Sequence, residues 1–363
     1  MRRKIKSCCS RSCRPPAGDR LIPLLLFLAV LLALPSCGRQ DQEDSGLRIG
    51  VALYTQDDTF ISTVAQNLER LVQEMESETG MKITLLVSDS RSNQTTQMDQ
   101  VDRFLNRGCD VLCVNLVDRT AAAVIVDKAE AEGTPLIFFN RQPVDEDIQR
   151  WDQTYYVGAS APESGTLQGQ LVLKAWEEDQ ERLDRNGDGV LQYVMLEGEP
   201  GHQDSLLRTE YSIKALTDGG VEVERLARDT ANWNRAQAAA RTQLWLEEFG
   251  GQIEVILANN DDMALGAIDA LGESGRELED WPLIVGVDAT APAQEAVRAG
   301  QLYGTVFNDS RGQAKAMLNL ALALYTGDDP EQAVTLEDGH YVWLPYNPVT
   351  KDDLEQLSEL EGF

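Results

Sequence analysis

Short apolar runs alternate with amphipathic segments along most of the chain, and these runs have the length of buried strands. After the first run, Ile61, Val64 and Leu68 recur at helical spacing, and Gly80 follows as a typical C-terminal cap. Such an alternation predicts a parallel α/β sheet. The predicted strands cover residues 47–54, 81–88, 111–115, 135–140, 155–159, 192–197, 221–227, 253–259, 283–287 and 304–308.

About 320 residues follow residue 45, which is too many for a domain built on a single sheet of this kind. We therefore expect two doubly wound parallel-sheet lobes. No linker rich in Gly, Pro or Ser separates them, which favours several short hinge crossings over one tether. The expected bounds are residues 46–159 plus 308–343 for the N-terminal lobe, and residues 160–307 plus 344–363 for the C-terminal lobe.

The N-terminal segment has the layout of an export signal. Its first twenty residues carry seven basic side chains and one acidic one, and the apolar run at 21–34 is about 14 residues long, too short to span a bilayer. The run ends in Leu-Pro-Ser-Cys37-Gly, which resembles the lipobox of bacterial lipoproteins. We expect residues 1–36 to be removed, Cys37 to carry the lipid, and residues 37–45 to form an acidic linker. An ordinary signal peptide is the alternative.

Charge excludes one class of partner. The chain has a net charge of −28, and −34 without the seven basic residues and one acidic residue of its leader. Nothing basic clusters in the body of the chain, so a nucleic-acid partner is excluded by repulsion. Cys109 and Cys113 flank an apolar strand and lie roughly 13 Å apart along it, too far for a disulfide, so they are expected to be core thiols.

Polar and aromatic side chains follow the predicted strands with regularity. In open α/β sheets ligands bind outside the carboxyl ends of the strands. Carboxylates, amides and guanidinium groups can hold hydroxyls, and flat rings can cover C–H faces, so this mixture suits a sugar. Helix caps and solvated turns are the alternative at any single position. The residues at these strand ends are Tyr54, Asp58, Phe60, Asn140, Arg141, Asn260, Asp261, Asp288, Asn308 and Asp309.

Longer stretches carry a family resemblance. They are residues 50–60 (GVALYTQDDTF), 115–118 (NLVD), 138–141 (FFNR), 155–158 (YYVG), 198–204 (GEPGHQD), 229–233 (DTANW), 258–261 (ANND), 286–288 (GVD) and 304–309 (GTVFND). Over nearly the whole mature chain, the sequence closely resembles the periplasmic galactose/glucose-binding protein family. The resemblance implies the type I periplasmic binding protein fold and high-affinity extracytoplasmic binding of a monosaccharide between the lobes.

The resemblance also implies the ligand contacts. A hexose would lie between Phe60 and Trp233, and Tyr54 would lie at the margin. The positions that match hydroxyl-binding residues are Asp58, Asn140, His202, Asp204, Arg208, Asn260, Asp288 and Asn308. Arg141 stands where the family has lysine, and arginine is larger and forked, which alters the fit around one hydroxyl. The alternatives are an Arg208–Asp204 pair on a helix surface and a helix cap at His202.

A calcium loop is the second motif. Asp184, Asn186 and Asp188 with Gly189 and the Val190 carbonyl match the first seven positions of an EF-hand loop. Position 12 is Met195, so a carboxylate must come from elsewhere. The family resemblance implies Gln192 and the distant Glu254 as the remaining ligands of a structural Ca²⁺. A hydrophilic turn is the alternative.

Two other classes of protein compete with a binding receptor. The chain has two histidines and no hydrolase or phosphotransferase motif, but a glycosidase needs only two carboxylates, which Asp58, Asp204 and Asp288 could supply. A sugar-responsive repressor would need an N-terminal helix-turn-helix where this chain has an export signal.

We therefore expect no enzyme but an exported, lipid-anchored, monomeric receptor for glucose or galactose. A pentose or a methyl-galactoside is the alternative ligand. Delivery to the permease of an ABC-type sugar importer is implied by the resemblance, with a chemotaxis receptor as a further candidate partner.

Overall fold

Two six-stranded sheets form the framework of residues 46–361, the part of the chain that the computed structural model describes. The first sheet contains β1 (Leu47–Leu53), β2 (Ile83–Asp89), β3 (Val111–Val114), β4 (Leu136–Phe139), β5 (Thr154–Ala159) and β11 (Tyr341–Leu344). The second contains β6 (Val190–Glu197), β7 (Glu222–Thr230), β8 (Val255–Ala258), β9 (Leu283–Val285), β10 (Gly304–Phe307) and β12 (Asn347–Thr350). The predicted leader at 1–36, the lipidation site at Cys37 and the linker at 37–45 lie outside the described residues.

Helices cover both sheets. They are α1 (Thr59–Thr79), α2 (Gln94–Asn106), α3 (Ala122–Glu132), α4 (Asp145–Ile148), α5 (Ala161–Glu178), α6 (Gln180–Leu183), α7 (Gln203–Asp218), α8 (Arg235–Glu248), α9 (Asp261–Glu273), α10 (Ala291–Arg298), α11 (Ser310–Thr326), α12 (Pro330–Ala333) and α13 (Leu354–Glu361). Single 3₁₀ turns lie at Arg119–Ala121, Gly250–Gln252, Leu278–Asp280 and Lys351–Asp353. Within the described range no helix is long and apolar enough to cross a membrane.

Each sheet is buried on both faces, which explains why its strands are almost continuously apolar. In β3, Val111 and Cys113 pack in one core cluster, while Leu112 and Val114 pack in the cluster on the opposite face. This is the twofold alternation of a strand. Cys109 and Cys113 are buried free thiols, as expected.

The strand orders are β2-β1-β3-β4-β5-β11 and β7-β6-β8-β9-β10-β12, so the two sheets repeat one plan. In both, the order reverses beside the first strand, which confirms the doubly wound α/β class and places a crevice at the carboxyl ends. Two features were not predicted: β11 and β12 were not recognised as strands, and β12 pairs antiparallel with β10.

The chain passes between the two sheets after β5, after β10 and after β11. Helix α5 follows β5 but packs with the core of the second sheet, where Leu171 and Val172 contact its cluster. Helix α11 follows β10 but contributes Ala314 and Met317 to the core of the first sheet. These crossings hold the carboxyl ends of the two sheets close to each other.

Candidate functional site

One cavity lies between the carboxyl ends of the two sheets. Its lining residues are Tyr54, Asp58, Phe60, Ile61, Asn140, Arg141, His202, Asp204, Arg208, Trp233, Asn260 and Asp288. Every sugar contact expected from the sequence is in this set except Asn308. Ile61 was not expected there.

The N-terminus of α1 places three of these side chains. Asp58 caps the helix, since one carboxylate oxygen accepts a hydrogen bond from the Ile61 amide at 2.9 Å. Its other oxygen accepts the Tyr54 hydroxyl at 2.5 Å. Phe60, in the first turn of α1, is buried, with 6% of its surface exposed. The cap and the binding role expected of Asp58 are therefore compatible, because the cap fixes the carboxylate at the cavity.

Arg141 connects the two halves of the cavity. Its guanidinium carbon lies 3.5 Å from the centre of the Tyr54 ring, and Nη1 donates to the Val117 carbonyl at 3.2 Å. Nη2 forms a 2.9 Å ion pair with Glu199, which follows β6 of the second sheet. Neighbouring Asn140 has a left-handed backbone (φ 58°) directly after β4. The forked group of Arg141 therefore contacts residues of both sheets, and its pairing with Glu199 was not predicted from the sequence.

Trp233 lies across the cavity from the first sheet, in a turn after β7 where Asn232 and Trp233 both have positive φ. Its ring packs edge-on against His202, with centroids 5.1 Å apart. Gly198 makes room for the ring, since a Cβ at that position would lie 2.1 Å from Trp233 Cζ2. The indole of Trp233 therefore packs directly against the backbone of Gly198, where a larger residue would displace it.

His202 both caps α7 and lines the cavity, so the two roles considered from the sequence are compatible. Its Nδ1 accepts the Asp204 amide at 3.1 Å, which leaves Nε2 as the protonated nitrogen. Burial, followed by the charges of Arg141, Arg208 and Arg119, holds its pKa well below the ordinary value. At neutral pH the ring is uncharged and can donate one hydrogen bond.

Arg208 and Asp204 form a buried ion pair, not the surface pair considered from their spacing. The Nη2–Oδ2 distance is 3.1 Å, and the two side chains are 4% and 12% exposed. Arg208 also donates from Nε to Ser164, from Nη1 to the Asn259 carbonyl and from Nη2 to the Tyr346 hydroxyl. A guanidinium has five N–H groups, so one on Nη1 remains for a ligand. Burial raises the pKa of Asp204 against the opposing charge of Arg208.

Asp288 is a buried acceptor with a strained backbone (φ 118°). Burial raises the pKa of its carboxyl well above the ordinary value, and Arg208 acts in the opposite direction. Asn308 lies behind it rather than at the cavity: its Nδ2 donates to Asp288 at 3.1 Å, and its Oδ1 accepts from Gln313 at 2.9 Å. Asn308 therefore positions Asp288. Asn260 caps α9 through the Met263 amide.

Two fully buried asparagines that sequence reasoning did not select organise the strand ends. Asn115 follows β3, accepts the Tyr54 amide at 3.4 Å and donates to the Phe139 carbonyl at 3.0 Å. Asn259 follows β8, the equivalent strand of the second sheet, and accepts the Gly198 amide at 3.1 Å. Each joins neighbouring strand ends in its own sheet. A polar residue ending a wholly apolar run was the available signal.

Further contacts cross the cleft directly. The Thr59 hydroxyl donates to Asp262 at 2.7 Å, and Gln203 Nε2 donates to Gln142 Oε1 at 3.1 Å. In both cases the partners come from opposite sheets. Together with Arg141 and Glu199, they show that the described conformation is closed around the cavity.

The predicted calcium loop lies at the opposite end of the second sheet, before β6. Asp184 accepts the amides of Gly187, Asp188 and Gly189, which folds the loop. Glu254 reaches it across the sheet and accepts the amides of Arg185 and Gln192 at 2.6 and 2.9 Å. Burial raises the pKa of Glu254, and Asp184 and Asp188 add to the effect.

The loop therefore supplies an oxygen-only set of side chains, the kind that Ca²⁺ prefers. The predicted ligands are Asp184, Asn186, Asp188, the Val190 carbonyl, Gln192 and Glu254. Among residues 46–361, however, no three His, Cys, Asp or Glu side chains stand at metal-binding spacing. The ion stays a prediction.

Comparison with known proteins decides the family. The sequence profile of the periplasmic binding protein domain matches residues 49–329. The chain belongs to the periplasmic binding protein family. This periplasmic binding protein is 39% identical over 333 residues to the D-galactose/methyl-galactoside binding periplasmic protein MglB of Haemophilus influenzae, covering 91% of this chain and 97% of that one.

Two further relatives support the assignment of this periplasmic binding protein. The xylitol-binding protein of Mycolicibacterium smegmatis is 30% identical over 333 residues, 91% of this chain and 85% of its own. A solute binding protein of an ABC transporter from Bacillus halodurans, solved with bound myo-inositol, superposes with a TM-score of 0.71 at 29% identity, covering 88% of this chain and 99% of that one.

Proposed function

We propose that this periplasmic binding protein closes around a monosaccharide such as glucose or galactose and delivers it to an ABC-type importer. The carrying observation is that Phe60 and Trp233, from opposite sheets, line one cavity together with carboxylate, amide and guanidinium groups. A pyranose offers hydroxyls around its rim and C–H groups on its faces, and this inventory matches both. The names of the three relatives refer to a hexose, a polyol and a cyclitol, all polyhydroxylated.

The proposed mechanism is a ligand-driven shift of the hinge. A sugar that contacts Asp58 on one side and Arg208 on the other gains both sets of contacts only when the lobes are closed. Its higher affinity for the closed form then shifts the population towards closure. The importer, and a chemotaxis receptor in a second role, would recognise the closed shape. Lipidation of Cys37 would keep the protein at the membrane, which mass spectrometry of the mature N-terminal peptide tests.

The direct test is a titration of the protein lacking residues 1–37 with glucose, galactose, xylose and methyl-galactoside. We expect one hexose to change tryptophan emission with saturation, and the Trp233→Phe variant to lose most of that change. Calorimetry gives the affinity independently. No response to either hexose at millimolar concentration would contradict the substrate class. Turnover of nitrophenyl glycosides would contradict a role restricted to binding.

The Arg141–Glu199 pair should slow ligand release. Replacing Glu199 by glutamine removes the charge opposite Arg141, and we expect the affinity for sugar to fall about fivefold, since the Glu199 side chain is 29% exposed and partly screened. Stopped-flow fluorescence should show the loss mainly in the dissociation rate. The Glu197→Gln variant is the control, because Glu197 pairs with Arg228 of the same sheet. Equal effects of the two substitutions would contradict a role in closure.

We also propose that the loop at 184–192 and Glu254 bind a structural Ca²⁺. The Glu254 carboxyl, buried near two other carboxylates, has a raised pKa that a cation would reverse. Binding to the native state alone stabilises it, by about 2.7 kcal/mol at a hundredfold excess of ion over Kd.

The calcium proposal predicts that a chelator lowers the melting temperature of the wild-type protein and that added Ca²⁺ restores it. The Glu254→Gln variant should melt lower and no longer respond to either treatment. Mg²⁺ serves as the control ion, because it demands a smaller octahedral site. A melting temperature that is unchanged by chelation and by Ca²⁺ would leave the loop as a hydrophilic turn.

A further inference from the structure

A second cavity adjoins the first on the side of the cleft where Gln142 and Gln203 meet. We call it the seam pocket; its lining includes Arg119, Arg141 and Gln142 from the first sheet and Glu199, His202 and Gln203 from the second. Its volume is about 410 Å³, and it is larger than the predicted sugar cavity. Arg141 and His202 line both cavities, so these two side chains lie between them. A group attached to the bound sugar has space here.

Arg119 carries hydrogen-bonding capacity that the protein leaves unused. Within residues 46–361 no carboxylate lies within 4.0 Å of its guanidinium, although the whole chain has a net charge of −28. Nη2 makes a long bond of 3.4 Å to the Pro143 carbonyl, and the buried Nε has no hydrogen-bond partner in the described part of the chain. Its charge acts on both His202 and Asp204. A buried donor without a partner is uncommon and favours a missing acceptor.

Gln203, in contrast, has a hydrogen-bond acceptor that lacks a donor. Its Nε2 donates to Gln142, but its buried Oε1 accepts no hydrogen bond from the residues that the structure describes. Both side chains are weakly held, Arg119 by one long bond and Gln203 by another flexible amide, so both can turn towards a ligand. One group lacks an acceptor and the other lacks a donor. A hydroxyl supplies both functions, whereas a carboxylate or phosphate supplies only acceptors and would also meet the charge of Glu199.

The pocket on the hinge side of the cleft differs from the seam pocket in the partners of its arginines. It adjoins the sugar cavity through Phe60 and Asp288. Two of its arginines are already ion-paired, Arg298 with Glu295 at 2.8 Å and Arg311 with Glu74 at 3.6 Å. The unsatisfied groups therefore favour the seam pocket as the ligand-binding extension.

We propose that the seam pocket is a subsite for a second sugar ring, so that the protein binds disaccharides of its hexose as well as the free hexose. The first ring occupies the cavity between Phe60 and Trp233, which rests on the proposed function. The second ring passes between Arg141 and His202, and its hydroxyls accept from Arg119 and donate to Gln203. Selection then depends on the linkage that directs the second ring into the pocket.

The test is calorimetry of the protein lacking residues 1–37 with the free hexose, its methyl glycosides and its α- and β-linked disaccharides. At least one disaccharide should bind, and Arg119→Met and Gln203→Leu should each weaken it about tenfold, the effect of one lost hydrogen bond to a charged or buried group. Arg119→Met should bind the free hexose and the methyl glycosides within twofold of wild type. Gln203→Leu also removes the contact with Gln142 across the cleft, so its tenfold loss for the disaccharide is measured relative to its own affinity for the free hexose. Arg70→Met, in the hinge-side pocket, is the matched control and should change neither affinity.

The possible failures are distinguishable. If the free hexose binds and no disaccharide does, the second subsite is excluded and the proposed function stands. If a disaccharide binds but Arg119→Met and Gln203→Leu leave its affinity unchanged, or if Arg70→Met weakens it equally, the second ring does not lie in the seam pocket. If no sugar binds at all, the proposed function itself fails. Retained binding of the free hexose shows that each variant is folded.

Discussion

Replacing Arg208 by methionine is expected to weaken sugar binding at least a hundredfold and to lower the free energy of unfolding by about 3 kcal/mol. The guanidinium lines the cavity and also holds Asp204, the Asn259 carbonyl and the Tyr346 hydroxyl. Its removal leaves the buried Asp204 carboxylate without its counter-charge. The resulting loss in the free energy of unfolding is larger than the net contribution of the ion pair itself. Calorimetric titration measures the first effect, and urea denaturation without ligand measures the second.

A matched control lies on the same helix. Lys214 and Asp218 have the same i, i+4 spacing on α7, with Nζ and Oδ2 2.6 Å apart, but their side chains are 54% and 64% exposed. Lys214→Met should leave both the free energy of unfolding and the sugar affinity close to the wild-type values, because exposed ion pairs contribute little. If Arg208→Met changed stability and sugar affinity as little as Lys214→Met, burial of the ion pair would not explain the role of Arg208.

Replacing Gly198 by alanine is the second large effect, and it acts through Trp233. The added Cβ would lie 2.1 Å from Cζ2 and 2.2 Å from Cη2 of the indole, so the ring must leave its place beside His202. We expect sugar affinity to fall about a hundredfold, since one aromatic face of the cavity is lost along with its alignment. Titration calorimetry measures the affinity, and tryptophan emission of the free protein should shift as the indole moves.

Gly251→Ala provides the comparison, because no atom of the described residues other than its chain neighbours lies within 4 Å of the Cβ it would add. It should bind sugar like the wild type. Normal affinity in Gly198→Ala would mean that the backbone moves instead of the ring, or that Trp233 does not face the ligand. A double variant tests whether the glycine acts only by making room for the ring. If it does, Gly198→Ala combined with Trp233→Ala should bind sugar no worse than Trp233→Ala alone.

Much of the cavity could be predicted because its residues stand directly after predicted strands. Asp58, Asn140, Asn260 and Asp288 follow apolar runs, and parallel strands bring such positions to one edge. Trp233 and Arg208 needed the family resemblance, since a turn tryptophan and a helical arginine have common structural roles. Asn308 follows a strand in the same way, yet its amide supports Asp288 from behind. Sequence spacing predicts that a residue lies at the edge of the sheet, but not whether its side chain lines the cavity or lies behind another side chain.

The contacts between the two halves could not be predicted from the chain. Glu199 lies beside Arg141, and Asp262 beside Thr59, although each pair is remote in sequence and follows no local period. The same is true of β12, a short segment whose antiparallel pairing with β10 depends on the last crossing of the chain. The contacts between the lobes form only when both have folded and closed, and β12 pairs with β10 only when the second sheet has formed.

The sequence by itself determined the alternation of strands and helices, the doubly wound class and the chemical inventory at the strand ends, because these follow from local periodicity and residue type. The tertiary structure decided which of these groups share a cavity, that Arg208 and Asp204 pair in the interior, and that a second pocket adjoins the first. These depend on how two independent sheets approach each other, a long-range packing outcome that local patterns do not specify.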